Sequence, residues 1–527
     1  MFDLLKRGSW MVDGDCKLPA ARRQTPVSGG KAWTVDDGRW TGSANPFAIR
    51  HSPFAMVAAA LLAAALAGCA VGPDYRRPAA ELPASWQQAP DHGAAVMSER
   101  WWTLYSDPVL DRLIEEALAG NQDLALAAAR VDEARALARV ADSEAVPAID
   151  AGFQRDRTRS SSRSSTPLPP NVPLERNNYR AQVNVAYEVD LWGRLRSASE
   201  AARAELLATQ AARETVRITL ATEVARAYYT LIGLDAQVEA TRRSLGLRNE
   251  ALGLQKVRHQ AGLINDLNLR QLEAEVAAAR AQLPQLEGTR TNEELSLAVL
   301  LGRSPRAIME GTVARGADRG ELAPTVVPEG LPSDLLLRRP DVVTAEQQLI
   351  AANARISAAR ASLFPRIALT GLLGSESASL GDLFSGPARI WQLAFGLAQP
   401  IFQGGRLFGG IQAVEARERQ AVAQYQKTLQ EAFREARQAL NVQARAREAF
   451  EAETARVTAL TEAYRLARIR YENGLLSQLE VMDAERNLLQ AQLNRTDALR
   501  VQRAAVADIV KALGGGWQGF AQDAARR

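Results

Sequence analysis

YRAQVNVAYEVDL, running from Tyr179 to Leu191, alternates without a slip. Its odd positions are Tyr179, Ala181, Val183, Val185, Tyr187, Val189 and Leu191; its even ones are Arg180, Gln182, Asn184, Ala186, Glu188 and Asp190. Successive side chains of a strand point to opposite faces, so this stretch makes one apolar face and one polar face. The pattern returns later, with Trp391, Leu393, Phe395, Leu397 and Ile401 opposite Gln392, Ala394, Gly396 and Ala398. Shorter partner strands, less polar on their second face, are expected at Ile149 to Phe153 and Ile367 to Leu373. Long strands with an aromatic-aliphatic outside suit a membrane-spanning barrel, lipid without and water within. Two strands per half cannot close a barrel alone, and open edges are not tolerated in a bilayer. Several chains must then share one barrel.

The strands belong to a longer repeat. Gly193 and Gly405, Gly262 and Gly474, and Gly302 and Gly514 are separated by one constant interval. Asp123 and Asp341, and Pro147 and Pro365, share a slightly longer one, so the loop Arg157 to Arg176 must be longer than its counterpart. A period of about 215 residues is far above solenoid lengths and indicates a duplicated domain. Each half orders the same elements. A helix (about Asp123 to Ala145, or Asp341 to Leu363) is closed by a proline and followed by two strands. A very long helix, a glycine turn and a shorter returning helix complete the set. The long helices, Gly193 to Gln260 and Gly405 to Glu472, contain no proline and would each extend roughly 100 Å. Their richness in Ala, Glu, Arg, Gln and Leu reads as coiled coil. Pro284, in the first returning helix, predicts a kink.

The chain ends carry a different signal. The apolar run Phe54 to Gly68 is shorter than the roughly 20 residues a spanning helix needs, but it fits a signal-peptide core. It closes on Leu66-Ala67-Gly68-Cys69, which fits a bacterial lipobox: cleavage precedes Cys69, whose new N-terminus is acylated. Gly72-Pro73 then breaks any helix. Ala70 stands where an Asp would signal inner-membrane retention, so the expected address is the outer membrane. Met1 to Arg50 lacks periodicity and reads as an upstream start, the true one lying between Ile49 and Met56.

The expected division follows. Residues 1–68 are a leader and lipoprotein signal peptide absent from the mature chain, and 69–106 a lipidated N-terminal segment. Residues 107–302 are the first repeat, with strands at about 148–156 and 178–191 and a helical hairpin over 193–301. Residues 303–332 form an inter-repeat, equatorial segment. Residues 333–514 are the second repeat, with strands at about 366–374 and 390–402 and a hairpin over 405–512. Residues 515–527 are a tail.

Composition narrows the function. A net charge of +4, from 64 basic against 60 acidic residues, is too slight to imply nucleic acid. The two cysteines are Cys16 and Cys69, so a chain starting at Cys69 has none free for a disulfide. Three histidines (His51, His92, His259) and no nucleophile elbow, phosphate loop or metal motif argue against an enzyme and against any cofactor or metal. The alternative is a structural envelope lipoprotein, a coiled-coil rod with no pore, which leaves the strands unexplained.

Several stretches, taken in order, resemble a known family. They are Cys69-Ala70-Val71-Gly72-Pro73-Asp74-Tyr75-Arg76-Arg77-Pro78, Trp101-Trp102 with Asp107-Pro108, and Tyr187-Glu188-Val189-Asp190-Leu191-Trp192-Gly193-Arg194. Leu337-Arg338-Arg339-Pro340-Asp341, Ala351-Ala352-Asn353-Ala354, Phe364-Pro365 and Arg470-Tyr471 through Asp483-Ala484 follow. From Cys69 to about Trp517 the chain resembles outer-membrane efflux factors of the TolC family, in the branch of lipoprotein partners of resistance-nodulation-division (RND) pumps. The resemblance implies a mixed α and β fold: a homotrimer sharing one twelve-stranded transmembrane β-barrel, continued by a periplasmic α-helical barrel. It implies passive conduction of drugs or other solutes received from an inner-membrane pump and a periplasmic adaptor, without catalysis. With six methionines and no Met or His cluster, a dedicated copper or silver exporter has little support.

The resemblance also assigns residues. Gly262 and Leu263, and Gly474 and Leu475, would form the hairpin turns at the periplasmic tip that meet the adaptor. Tyr471 stands at the position of a gate tyrosine, and Glu480 and Asp483 at those of constricting acids. The two acids are three residues apart and share a helix face, so three chains would gather six carboxylates, favouring cations. Asn268 occupies a place where some relatives carry an acid, so a salt-bridged lock on the first hairpin is not expected.

Overall fold

The computed structural model of the chain describes residues 71–79, 99–165, 169, 171–316, 333–517 and 519. Leu66, Ala67, Gly68 and Cys69 lie outside the described residues, as do the leader, most of 303–332 and most of the tail. Among the described residues the first half runs α1 (Pro108–Gly120), α2 (Gln122–Ser143), β1 (Ala148–Arg159), β2 (Glu175–Val189), α3 (Arg194–Gln260), α4 (Asp266–Leu300) and the short α5 (Pro305–Glu310). The second runs α6 (Pro340–Ala361), β3 (Arg366–Ser377), β4 (Arg389–Ala398), α7 (Arg406–Glu472) and α8 (Gln478–Ala512). Helices α3 and α7 each have 67 residues, and α4 and α8 each have 35.

Local chemistry sets these boundaries. The Asp107 carboxylate accepts from the Val109 and Leu110 amides at the start of α1, and Asn121 does the same for α2. Four helices end alike. Gly262, Gly302, Gly474 and Gly514 take φ between +72° and +92°. The amide after each reaches back five residues, as in Leu263 N–H to the Arg258 carbonyl and Leu475 N–H to that of Arg470. This is the Schellman end that glycine makes without strain. Helix α4 continues uninterrupted through Pro284.

The four strands form one antiparallel sheet in the order β1-β2-β3-β4, with β1 and β4 as its edges. The register pairs odd positions with odd: Ile149 with Val185, Val185 with Gly371, and Gly371 with Leu393. Ile149, Phe153, Val183, Val185, Leu369, Leu373, Trp391, Leu393, Phe395 and Leu397 therefore stand exposed on one face. Asp150, Gln154, Arg180, Asn184, Glu188, Thr370, Glu376 and Gln392 occupy the other.

Several expected strand limits need correction. β2 stops at Val189, not Leu191, because the chain has already turned: the Asp190 carboxylate accepts from the Arg196 amide of the following helix. β4 stops at Ala398, not residue 402. Pro400 has no N–H to give the ladder and restricts Gln399 before it. The partner strands are not short. β1 spans 12 residues, and β3, also 12, is longer than β4 with 10.

The main core sits where both halves meet. Trp101, Tyr105, Leu110 and Ile114 pack against Leu220 to Leu231 of α3, Leu297 of α4, and Ile509 and Val510 of α8. The Tyr105 hydroxyl donates to the Arg503 carbonyl at 2.7 Å, and that of Tyr228 to Asp107. Arg339, buried, donates to Asp341, Glu435 and the Ala512 carbonyl, tying α6 to α7 and α8. At the sheet end Trp192 stacks on Phe364 and donates to the Pro365 carbonyl, joining the halves again. The N-terminal segment lies on α6: Arg77 makes a two-pronged ion pair with Glu346, and Tyr75 donates to the same carboxylate.

Candidate gate at the helical tips

The turns α3–α4 and α7–α8 lie side by side, and polar side chains connect them. The Tyr471 hydroxyl, near the end of α7, accepts from Gln255 Nε2 at 2.7 Å and Arg258 Nη1 at 2.6 Å. The Arg258 guanidinium also lies over the Tyr471 ring, 5.8 Å from its centre. Gln255 is buried and donates in addition to Gln478 on α8, at 3.3 Å. One tyrosine oxygen is thus gripped by two donors from the opposite hairpin.

About two turns farther from the tip lies a buried ionic cluster that spacing in the sequence could not reveal. Arg248 on α3 and Glu485 on α8 are 7% and 8% exposed. Arg248 Nε donates to Glu485 at 2.7 Å, and its Nη1 to Glu275 of α4 at 3.1 Å. The Ser244 hydroxyl donates to the other Glu485 oxygen. Glu275 also faces Arg486 at 3.5 Å. Three helices share this network, and each charge is met by an opposite charge or a hydrogen bond.

The two acids have partners of their own. Glu480 is the third residue of α8 and closes a capping box: its carboxylate accepts from the Ser477 amide at 2.9 Å and hydroxyl at 2.8 Å. The Ser477 backbone N–H holds the Glu480 carboxyl below the usual glutamate range, with the hydroxyl adding to the effect. Asp483 accepts from Arg486 at 2.7 Å. Glu480 is exposed in this chain, and Asp483 keeps 49% of its side chain exposed. In the first hairpin Asn265 caps α4 through the Asn268 amide, so position 268 is the counterpart of 480. The turn residues Leu263 and Leu475 project into solvent, 73% and 70% exposed. The capping box was readable as Ser477-x-x-Glu480. Gln255, Arg258, Ser244 and Arg248 carried no signal, because their partners in the second hairpin lie more than 200 residues away.

Comparison with known proteins finds relatives that match most of the chain. The family model described as "Outer membrane efflux protein" matches residues 113–303 and again 331–515. The chain is 36% identical over 469 residues to the probable efflux pump outer membrane protein TtgC of Pseudomonas putida, covering 88% of this chain and 96% of the relative. It is 35% identical over 466 residues to outer membrane protein OprJ of Pseudomonas aeruginosa, with the same coverages. The crystal structure of the Campylobacter jejuni CmeC outer membrane channel shares the fold, with a TM-score of 0.82 at 23% identity over 87% of this chain and 97% of that one.

Proposed function

Since the chain belongs to the outer membrane efflux protein family, we propose that three copies assemble into the exit duct of a tripartite efflux system. The protein is an outer-membrane efflux channel that extends into the periplasm. One observation carries the trimeric reading. The sheet is apolar on one face and polar on the other, and in a single chain it ends in two long edge strands. Lipid offers no water to satisfy edge N–H and C=O groups, so β4 of one copy must meet β1 of the next. The alternating strand directions make that contact antiparallel, and a head-to-tail ring of three gives one closed twelve-stranded barrel.

The helices continue it as a tunnel. Equal helix lengths in the two halves support duplication, with repeats at 107–302 and 333–514 around an equatorial segment at 303–332. Residues 69–106 would carry the acyl anchor at Cys69. In support, Gly72 lies against Ser357 so closely that a Cβ there would meet its hydroxyl, and Ser357 is one turn from the sheet end of α6. Solvent-exposed Leu263 and Leu475, beside Gly262 and Gly474, suit docking of a periplasmic adaptor, which would join the channel to an inner-membrane RND pump. Tyr471, held by Gln255 and Arg258, keeps the tips together. Glu480 and Asp483 then line the narrowest ring. The channel carries drugs or other solutes passively, and no residue is assigned a catalytic role.

The test is a planar bilayer. Purified protein should have the mass of three chains and give discrete conductance steps. Monomers that give none would leave the rod without a pore. Tyr471→Phe should raise resting conductance severalfold, since Gln255 and Arg258 lose their shared acceptor.

A further inference from the structure

The outward face of the sheet changes character along its length. Its lower rows are apolar: Val189, Ile367 and Leu397; then Tyr187, Leu369 and Phe395; then Ile149, Val185, Gly371 and Leu393; then Ala151, Val183, Leu373 and Trp391. The next row mixes Phe153, Ala181 and Ser375 with Arg389, and beyond it the face turns basic. These five rows span about 26 Å along the strands, which the tilt of barrel strands reduces to about 20 Å of height, within the apolar band of an outer-membrane barrel. At the far end from the helices stand Arg155, Arg157 and Arg159, every second residue of edge strand β1 and so in one line. Arg389 opens the other edge strand, β4, on the same face and at the same end.

We propose that these four arginines form a binding surface on the outer wall for phosphorylated lipid headgroups of the outer leaflet. The proposal rests on the barrel reading given above. Charge on this face is one-sided. Among the paired strand positions facing outward, Glu175 is the only acid, and both Arg157 and Arg159 turn to it, at 2.8 and 3.3 Å. The inward face differs: there Arg180 and Asn178 converge on Glu376, and Asp150, Asp156 and Glu188 balance the remaining bases. Arg157 and Arg159 keep 68% and 75% of their side chains exposed. Arg155 lies over the Tyr179 ring at 5.4 Å, which fixes a guanidinium where an aromatic residue marks the edge of the apolar band.

A row of cations at the rim of an apolar band cannot face acyl chains cheaply, and guanidinium forks match phosphate oxygens. Ring closure would bring Arg389 of one copy beside the Arg155–Arg159 line of the next. The ligand then sits at the seam between copies, acyl chains along Ile149 and Phe153, phosphates on the arginines.

The test uses the assembled full chain in detergent, stripped of lipid and titrated with diphosphoryl lipid A, bound lipid being counted by native mass spectrometry. Dephosphorylated lipid A should bind at least tenfold more weakly. R155Q/R157Q/R159Q/R389Q should lose at least tenfold in affinity while keeping wild-type conductance. The corresponding four-lysine variant should keep most of the binding. Equal binding by the glutamine variant, or equal binding of the dephosphorylated lipid, overturns the proposal while leaving the channel reading intact. So does displacement by inorganic phosphate at equal concentration, which would mark a plain anion site. A wild-type protein that neither inserts nor conducts overturns both readings.

Discussion

Helices α3 and α7 have the same length, begin on left-handed glycines and end on matching turns, yet they are buried to very different extents. Along α3 buried residues run from Leu195 to Gln255, packed on α1, α2, α4, α6 and α8. α7 packs on α6 and α8 and buries only Tyr425, Leu429, Ala432, Ala436, Ala439, Ala446 and Phe450. Its remaining surface is laced with pairs along its own length, such as Arg445–Glu448, Arg447–Glu451 and Arg465–Glu462. Local sequence makes both helices. Position in the layer decides which one is covered, and the repeats are alike in elements but not in surroundings. α7 and the edge strands are where a neighbouring copy would add its cover.

The comparison breaks first at its ionic contacts. Arg248→Met on α3 leaves Glu485 buried without its cation and should cost about 3–5 kcal/mol. Arg465→Met on α7 removes only an exposed, solvent-screened pair and should cost far less. Thermal melts followed by helical circular dichroism would rank them, and equal losses would mean that α7 is covered as α3 is. Arg248→Met combined with Glu485→Leu should recover most of the loss, since no lone charge remains.

In the sheet the two halves should instead agree. Val185→Arg in the first and Phe395→Arg in the second should each cost about 2–4 kcal/mol near mid-bilayer. Asn184→Arg and Gln392→Arg, on the polar face of the sheet, should cost much less. Unfolding in lipid vesicles measures all four, and equal tolerance would fit a soluble sheet.

The alternation that predicts this was plain in the sequence, as were the repeated glycines that end the helices. Strand limits were less so: period two says which way a side chain points, not where hydrogen bonding stops, and only Pro400 marked that end. Tyr471 could be placed by resemblance, but its donors could not. Gln255 and Arg258 sit on an ordinary-looking polar helix surface, and only the fold brings them to the hydroxyl. The reverse holds for Glu480, whose capping bond was local and legible, and which the acid-ring expectation passed over.

The smallest difference lies at the two caps. Ser477→Ala should cost about 1 kcal/mol, and Asn265→Ala a similar amount. Their pH responses should part. The Glu480 pKa is depressed on folding, so its stabilising effect is present above the unfolded value and fades as pH falls through the folded one. Protection of the Ser477 amide, measured against its intrinsic exchange rate at each pH, should therefore fall below the ordinary glutamate range, while position 268, an asparagine, adds no such step. Identical acid profiles at both caps would remove Glu480 from the second.

The account stands or falls on closure of the open edges by copies of the same chain. Ile149→Cys on β1, combined in turn with Cys at Trp391, Leu393, Phe395 or Leu397 on β4, scans that contact in outer membranes under mild oxidation. Within one chain the two strands are separated by β2 and β3, too far for a disulfide. At least one pairing should give covalent dimers and trimers and nothing larger. Monomers in every pairing, or a ladder that continues past three, would contradict the closed ring.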